Sequence, residues 1–296
     1  MTTIFTGTTN TDGSGTAGNL NEENSTVVLS PNSRIVTEED VVLTNLGSGV
    51  VALNQGMWNQ EGFKEVKFST EKDYVSVDNF VDVNVSATNS SAATISIASA
   101  KRGDISTSEG NDSIYISAYS NASSDTGWAN MFNIQSGSGE DVIRLTDSKN
   151  SQWTEFNIDA GSGHDLVDVS GMLNPSENVN RFADGGDGFD MLVFSGDNSL
   201  EFENFEAVIG SNGAQLDLDS DLLASNDTLS DFGLGLILSN VELSTSLSID
   251  TNDMLSEDEI ALLEAVGLNS DDFKSVTLID ADNLEYSILT DDAAFA

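Results

Sequence analysis

Four short glycine loops, spaced almost evenly and each running straight into an alternating strand, restrict this chain more than any other feature. They are Ser108-Glu109-Gly110-Asn111-Asp112, Gly137-Ser138-Gly139-Glu140-Asp141, Gly161-Ser162-Gly163-His164-Asp165 and Gly186-Asp187-Gly188-Phe189-Asp190. The strands after them are Ser113-Ile114-Tyr115-Ile116, Val142-Ile143-Arg144-Leu145, Leu166-Val167-Asp168-Val169 and Met191-Leu192-Val193-Phe194. The closing aspartates are separated by 29, 24 and 25 residues. Strand-like pieces also precede the last three loops: Met131-Phe132-Asn133-Ile134, Glu155-Phe156-Asn157-Ile158 and Asn180-Arg181-Phe182-Ala183. Each unit therefore reads strand, glycine loop, strand and polar return. A unit this short cannot bury its own apolar face. Stacking successive units about 4.8 Å apart buries that face against the next unit. The expected fold is all-β, a parallel β-solenoid.

Stacking the units also stacks the loops. Glycines at Gly110, Gly137, Gly139, Gly161, Gly163, Gly186 and Gly188 permit positive φ, which lets carbonyls turn toward one point. Asp112, Asp141, Asp165 and Asp190 add a carboxylate at each loop end, and Asp187 adds another inside the fourth loop. Calcium takes six to eight hard oxygens at about 2.3–2.6 Å. One loop supplies half a shell, so the neighbouring loop completes it. Four stacked loops suggest roughly three sites between levels. The candidate cofactor is Ca2+, and the glycines and aspartates just named are its candidate ligands. The fourth loop, with Gly185 before Gly186, is the fullest match. Ser136 and Ala160 replace that leading glycine in the second and third loops, and Ser108 weakens the first.

The charge agrees with a cation partner. Over 296 residues the chain carries 50 acids and 10 bases, a formal charge of −40. Residues 197–296 alone hold 23 acids and one base, Lys274. Such a surface repels nucleic acid and polyanionic substrates and resists compaction unless cations bind or salt screens it. No cysteine is present, so neither disulfides nor thiolate metal sites contribute. No run of 18 apolar residues occurs, so no membrane span is expected. Met1-Thr2-Thr3-Ile4-Phe5-Thr6 has neither a basic start nor an apolar core, so it does not read as a secretory signal.

Residues 1–104 read as an N-terminal β-rich region, with further solenoid levels that lack the glycine grammar. Their strand-like pieces are Val27–Leu29, Val41–Leu43, Val50–Leu53, Val66–Phe68, Tyr74–Val77, Val81–Val85 and Thr94–Ile97. Residues 1–20 are almost uncharged, and read either as a loose tail or as an extended strand for a sheet edge. Residues 105–196 carry the loops. Residues 197–296 form an acidic C-terminal region. There Ser256-Glu257-Asp258-Glu259 predicts a capping box opening a short helix, with Ile260, Leu262, Leu263 and Val266 on its apolar face and Gly267 as its stop. A hairpin, Val276–Ile279 with Tyr286–Leu289, follows. Asp250-Thr251-Asn252-Asp253 is too short for an EF-hand loop and lacks its glycine, so it reads as a polar turn before the helix.

No catalytic constellation emerges. His164, the single histidine, occupies a variable loop position and reads as solvent-facing. G-x-S-x-G and H-E-x-x-H motifs are absent. Trp128 and Trp153 are 25 residues apart, one repeat, and read as a stacked pair; with Trp58 they could instead form a sugar platform. Lys101 and Arg102 are the only adjacent bases, which makes a polyanion lyase a poor fit. The expectation is that the chain is not an enzyme.

The loops resemble the calcium-binding nonapeptides of the repeats-in-toxin family of secreted bacterial proteins, over about residues 105–195. The C-terminal third is similar to the tail of type I secretion substrates, through Glu203-Asn204-Phe205-Glu206-Ala207-Val208 and the ending Asp291-Asp292-Ala293-Ala294-Phe295-Ala296. The resemblance implies a calcium β-roll, export unfolded by type I secretion machinery, and folding in millimolar extracellular calcium. The repeat spacing is wider than in the family, and no effector domain is recognisable. The resulting expectation is a secreted, extracellular or cell-surface structural protein of a surface layer, biofilm matrix or fibre. Its expected partners are copies of itself, the type I secretion machinery and a cell-surface polysaccharide; the alternative expectation is a calcium-loaded adhesin that binds glycans or surfaces, ahead of a β-helix polysaccharide-active enzyme.

Overall fold

The computed structural model describes residues 3–5, 41–44, 65–70, 73–78, 82–88, 90–119, 130–147, 154–172, 179–197, 200–229 and 233–295. These are mostly strand, with two α-helices. Segments Val27–Leu29 and Val50–Leu53, and all three tryptophans, lie outside the described residues.

Two long sheets take alternate strands of the chain. The first runs, in spatial order, through Thr3–Phe5, Val41–Thr44, Tyr74–Asp78, Thr94–Ala100, Ser113–Ala118, Val142–Asp147, Leu166–Gly171, Met191–Asp197, Ala207–Leu218 and Leu236–Ser239. The second runs through Glu65–Thr70, Asp82–Ala87, Arg102–Ser106, Asn130–Gln135, Thr154–Asp159, Arg181–Asp184 and Leu200–Glu203. Neighbours within these runs are parallel throughout. Strands before each of the last three loops thus belong to the second sheet, and strands after all four loops to the first. Segment Arg102–Ser106, which contains Gly103 and Asp104, was not evident as a strand from its residues.

Register explains why the repeat works. Ile95, Ile114, Ile143, Val167, Leu192 and Val208 occupy matching positions in successive strands of the first sheet, and each is fully buried. In the second sheet Ile105, Ile134, Ile158, Ala183 and Phe202 do the same. The alternating pattern therefore puts apolar columns on the inner faces, a second one in the first sheet running through Val77, Ile97, Ile116 and Leu145. Burying each large side chain contributes about 1.5–3 kcal/mol, and no level achieves this alone.

The C-terminal region breaks the parallel pattern. Glu285–Thr290 joins Leu236–Ser239, and then Lys274–Ile279 and Ser248–Asp253 add antiparallel strands. Asp250 to Asp253 are thus part of an exposed edge strand rather than a turn. The helix forms as its sequence predicts, over Glu257–Ala265. Ser256 Oγ accepts from the Glu259 N–H, and Glu259 returns the bond to the Ser256 N–H at 2.6 Å. Leu262, Leu263 and Val266 pack with Ala207, Ile237, Phe273 and Leu289, whereas Ile260 is left outside that cluster. A second helix, Ser220–Ser225, is capped by Asp219. Thr3–Phe5 pairs with Val41–Thr44 of the same chain, so this piece of the N-terminal segment is already in a sheet.

A candidate cation column

The four loops stack directly on one another. Glu109 bridges Ser138, Ser138 bridges Ser162, and Ser162–Gly163 pairs with Asp187–Gly188. The glycines are needed for two reasons. Gly139, Gly163 and Gly188 have φ of +138°, +142° and +151°. A β-carbon on each would lie 2.1, 1.6 and 1.5 Å from the carbonyl oxygen of Gly110, Gly139 and Gly163 respectively. Gly137, Gly161 and Gly186 are equally crowded by the previous level.

Behind the glycines the closing aspartates form a ladder. Asp112 N–H donates to Asp141 Oδ1 at 2.7 Å, Asp141 N–H to Asp165 Oδ1 at 2.8 Å and Asp165 N–H to Asp190 Oδ1 at 2.7 Å. The ladder runs past the loops at both ends. Asp112 Oδ1 accepts from Ala93 N–H at 2.6 Å, and Asp190 N–H donates to Glu206 Oε2 at 2.5 Å. Glu206 is therefore a fifth member of the carboxylate column, although its segment has no glycine loop. The signal in the sequence was an acid directly before the apolar strand Ala207-Val208-Ile209, as at each aspartate.

All four aspartates are at most 3% exposed, and the second oxygen, Oδ2, of each has no hydrogen-bond partner. Two nearby hydroxyls have carbonyls as their partners, Thr107 Oγ1 donating to the Ser136 carbonyl and Ser136 Oγ to the Ala160 carbonyl, and their proximity to Asp112 and Asp141 only partly offsets the effect of burial. Stacked like charges without water are costly. Burial, ahead of all other causes, raises the carboxyl of Asp112 above its ordinary value. It pushes Asp141 up to about 6 and Asp165 and Asp190 up to about 7, and adjacent carboxylates add to the effect. The column therefore offers hard, anionic oxygens in a place where they need a proton or a cation. Among the described residues no three His, Cys, Asp or Glu side chains form a metal-holding group. A cation here would draw on the backbone carbonyls of the loops as well as one carboxylate per level.

Comparison with known protein families, with curated proteins and with solved structures found no match.

Not every predicted ligand is in the column. Asp187 sits exposed at the loop tip, at the position of Ser162, Ser138 and Glu109. His164 is exposed, as its position predicts, and its Nδ1 accepts the Phe189 N–H at 2.9 Å. The adjacent bases open no basic groove. Lys101 is buried with its ammonium 5.6 Å from the Tyr119 ring centre, and Arg102 pairs with Asp82 at 2.7 Å.

The variable loop position carries one more message. Asn111, Glu140 and His164 are polar, but the fourth copy has Phe189, which packs against the cluster beneath helix Glu257–Ala265. The helix is thereby docked on the last loop. Phe189→Ser should keep cation binding while loosening the helix. Losing a half-buried phenyl ring removes about 1–2 kcal/mol, so amide exchange across residues 257–265 should quicken roughly tenfold. Unchanged exchange would show that the helix docks independently of the loop.

Proposed function

We propose that this chain is a secreted, calcium-dependent structural protein, a β-solenoid of calcium β-roll type that folds on binding calcium outside the cell and assembles with its own copies into a surface layer, biofilm matrix or extracellular fibre. The observation that carries the calcium reading is the column of four buried aspartates with an unpartnered oxygen each, set behind glycine carbonyls. Gly110, Gly139 and Gly163 would contribute carbonyls, and Asp112, Asp141, Asp165 and Asp190 carboxylates. A divalent cation between levels would neutralise the ladder and join adjacent loops. Where extracellular calcium is millimolar and cytosolic calcium far lower, such a column folds in one compartment and not in the other.

Self-assembly is supported by sheet edges. Among the described residues the first sheet ends in Thr3–Phe5 and Ser248–Asp253, and the second begins at Glu65–Thr70. Sheet edges are templates for pairing with another chain. A donated N-terminal strand would first have to leave Val41–Thr44, which makes pairing of whole sheet ends the simpler route. Type I export fits the C-terminal segment only before folding. In the folded chain Ser239 Oγ and Leu243 N–H donate to Asp291 and Asp292, and Phe295 is buried.

One observation favours a glycan-binding adhesin as the second reading. The outer face of the second sheet carries Asn84, Asp104 and Asn133 as a bonded ladder, with Asn133 Nδ2 donating to Asp104 at 2.7 Å, beside Arg102 and the exposed Met131. Flat arrays of amides with an apolar neighbour suit sugar hydroxyls.

Light scattering coupled to size exclusion, with millimolar calcium and then with chelator, tests the proposal. Calcium should convert an expanded monomer into a compact species and then into large assemblies. A compact species that stays monomeric moves the adhesin reading ahead, to be followed on a glycan array. No response to calcium overturns the proposal.

A further inference from the structure

The carboxylate column has a direction, and its two ends beyond the loops differ. Each side chain reaches back toward the N-terminal level: Asp141 to the Asp112 N–H, Asp165 to Asp141, Asp190 to Asp165. Both oxygens share one carboxyl carbon, so the second oxygen is carried toward that same gap. The unpartnered oxygens of Asp141, Asp165 and Asp190 therefore fall between consecutive loops. That of Asp112 falls on the N-terminal side of the first loop, where no glycine loop exists.

The level on that side is Ser90-Ser91-Ala92-Ala93. Ala93 occupies the aspartate position, because the Ser113 N–H donates to the Ala93 carbonyl just as the Val142 N–H donates to the Asp112 carbonyl, both at 2.8 Å. Ser91 then occupies the position of Gly110. A β-carbon at Gly110 would lie 2.7 Å from the Ser91 carbonyl carbon and 3.0 Å from its oxygen, whereas one at Gly139 would lie 2.1 Å from the Gly110 oxygen, so the Ser91 peptide takes the equivalent place with its oxygen farther off. The gap thus has the same two kinds of donor as the loop–loop gaps: a backbone carbonyl ahead and a buried, unpartnered Asp oxygen behind.

The C-terminal gap differs. Glu206 reaches back to the Asp190 N–H, but its other oxygen accepts the Thr228 hydroxyl. Phe205, fully buried, stands where a fifth loop would begin, and its N–H is taken by Asn226 Oδ1 at 2.9 Å. Glu206 has no oxygen to spare.

We infer that the column holds a fourth cation site beneath the first loop, between the Ser91 carbonyl and Asp112, and that Glu206 with Thr228 closes the column at its other end without binding an ion. The ligand is a hard divalent cation, and the inference rests on the calcium reading of the loops. The sites are then four, one ahead of each aspartate, rather than the three that four stacked loops suggest.

Calcium titration by calorimetry on the full chain, in physiological salt with excess magnesium, counts the tight sites. Wild type should bind four equivalents, Asp112→Asn three and Glu206→Gln four. Circular dichroism with calcium checks that each variant is folded. Where Asp112→Asn is too unstable to titrate, the wild-type count and Glu206→Gln decide. A wild-type count of three, an undiminished count in folded Asp112→Asn, or the loss of one equivalent in Glu206→Gln would each overturn the assignment. Absence of any tight calcium would overturn the calcium reading itself, and the site with it.

Discussion

Chelating calcium at pH 8 should unfold the glycine-loop region, and acidifying the same metal-free solution to pH 5 should restore much of its stability. The sign follows from the column. Burial raises the carboxyls of Asp141 to about 6 and of Asp165 and Asp190 to about 7, from an ordinary 3.8. A carboxyl whose folded value is raised costs nothing below its unfolded value, where it is protonated in both states. The cost grows as pH rises from about 3.8, and it is complete above about 7. Each unit is worth about 1.4 kcal/mol, so three such groups cost several kcal/mol at pH 8. Calcium reverses the dependence, because ligation needs the deprotonated form and binding weakens as pH falls toward 5. Thermal unfolding followed by circular dichroism, across pH 5–8 with calcium and with chelator, separates the two regimes. Relief of general repulsion in a chain of charge −40 acts in the same direction. The triple variant Asp141→Asn, Asp165→Asn, Asp190→Asn isolates the column: its metal-free stability should vary much less with pH, and calcium should raise it far less, through the Asp112 gap alone. A wild-type protein equally stable at pH 8 with and without chelator would mean that the ladder is satisfied by other means.

How far the sequence reveals this site depends on which part of it is local. The loops are legible because glycine and aspartate recur at fixed offsets before apolar strands, and each requirement belongs to a few adjacent residues. The helix at Glu257 is legible for the same reason, since Ser256 and Glu259 form one capping box. Glu206 is legible only in part: an acid stands directly before the strand at Ala207, but its place in the column depends on register. Only the pairing of Met191 with Ala207 sets Glu206 opposite Asp190. Ala93 and Ser91 are hidden in the same way, since they matter through backbone atoms that carry no residue-specific signal. Asp187 is a different case. It sits inside the best-matched loop, yet stacking leaves it at the exposed tip. The acids Asp291 and Asp292 stand out in the sequence only as part of an acidic ending, whereas in the fold the Asn240 and Leu243 N–H groups use them as acceptors.

The second large effect is expected from one methyl group. Gly163→Ala should cost on the order of 5 kcal/mol, at the upper end of single substitutions. Two penalties combine. Gly163 has φ of +142°, a region in which a side chain costs about 1–3 kcal/mol. Its β-carbon would also lie 1.6 Å from the Gly139 carbonyl oxygen, which is backbone and cannot rotate away. The clash is relieved only by separating the second and third loops. Separation breaks the Gly139 N–H bond to the Ser162 carbonyl and the Asp141 N–H bond to Asp165, and it pulls apart the donors of the cation gap between them. Gly213→Ala is the internal control. It too has positive φ, +76°, but nothing lies within 4 Å of its would-be β-carbon, so only the conformational cost of about 1 kcal/mol applies. Denaturant unfolding in millimolar calcium should therefore show a large shift for Gly163→Ala and a small one for Gly213→Ala. Equal, small shifts would mean that the loops do not stack at this spacing. A large shift at Gly163, together with a lost calcium equivalent, would tie backbone approach and cation binding to the same gap.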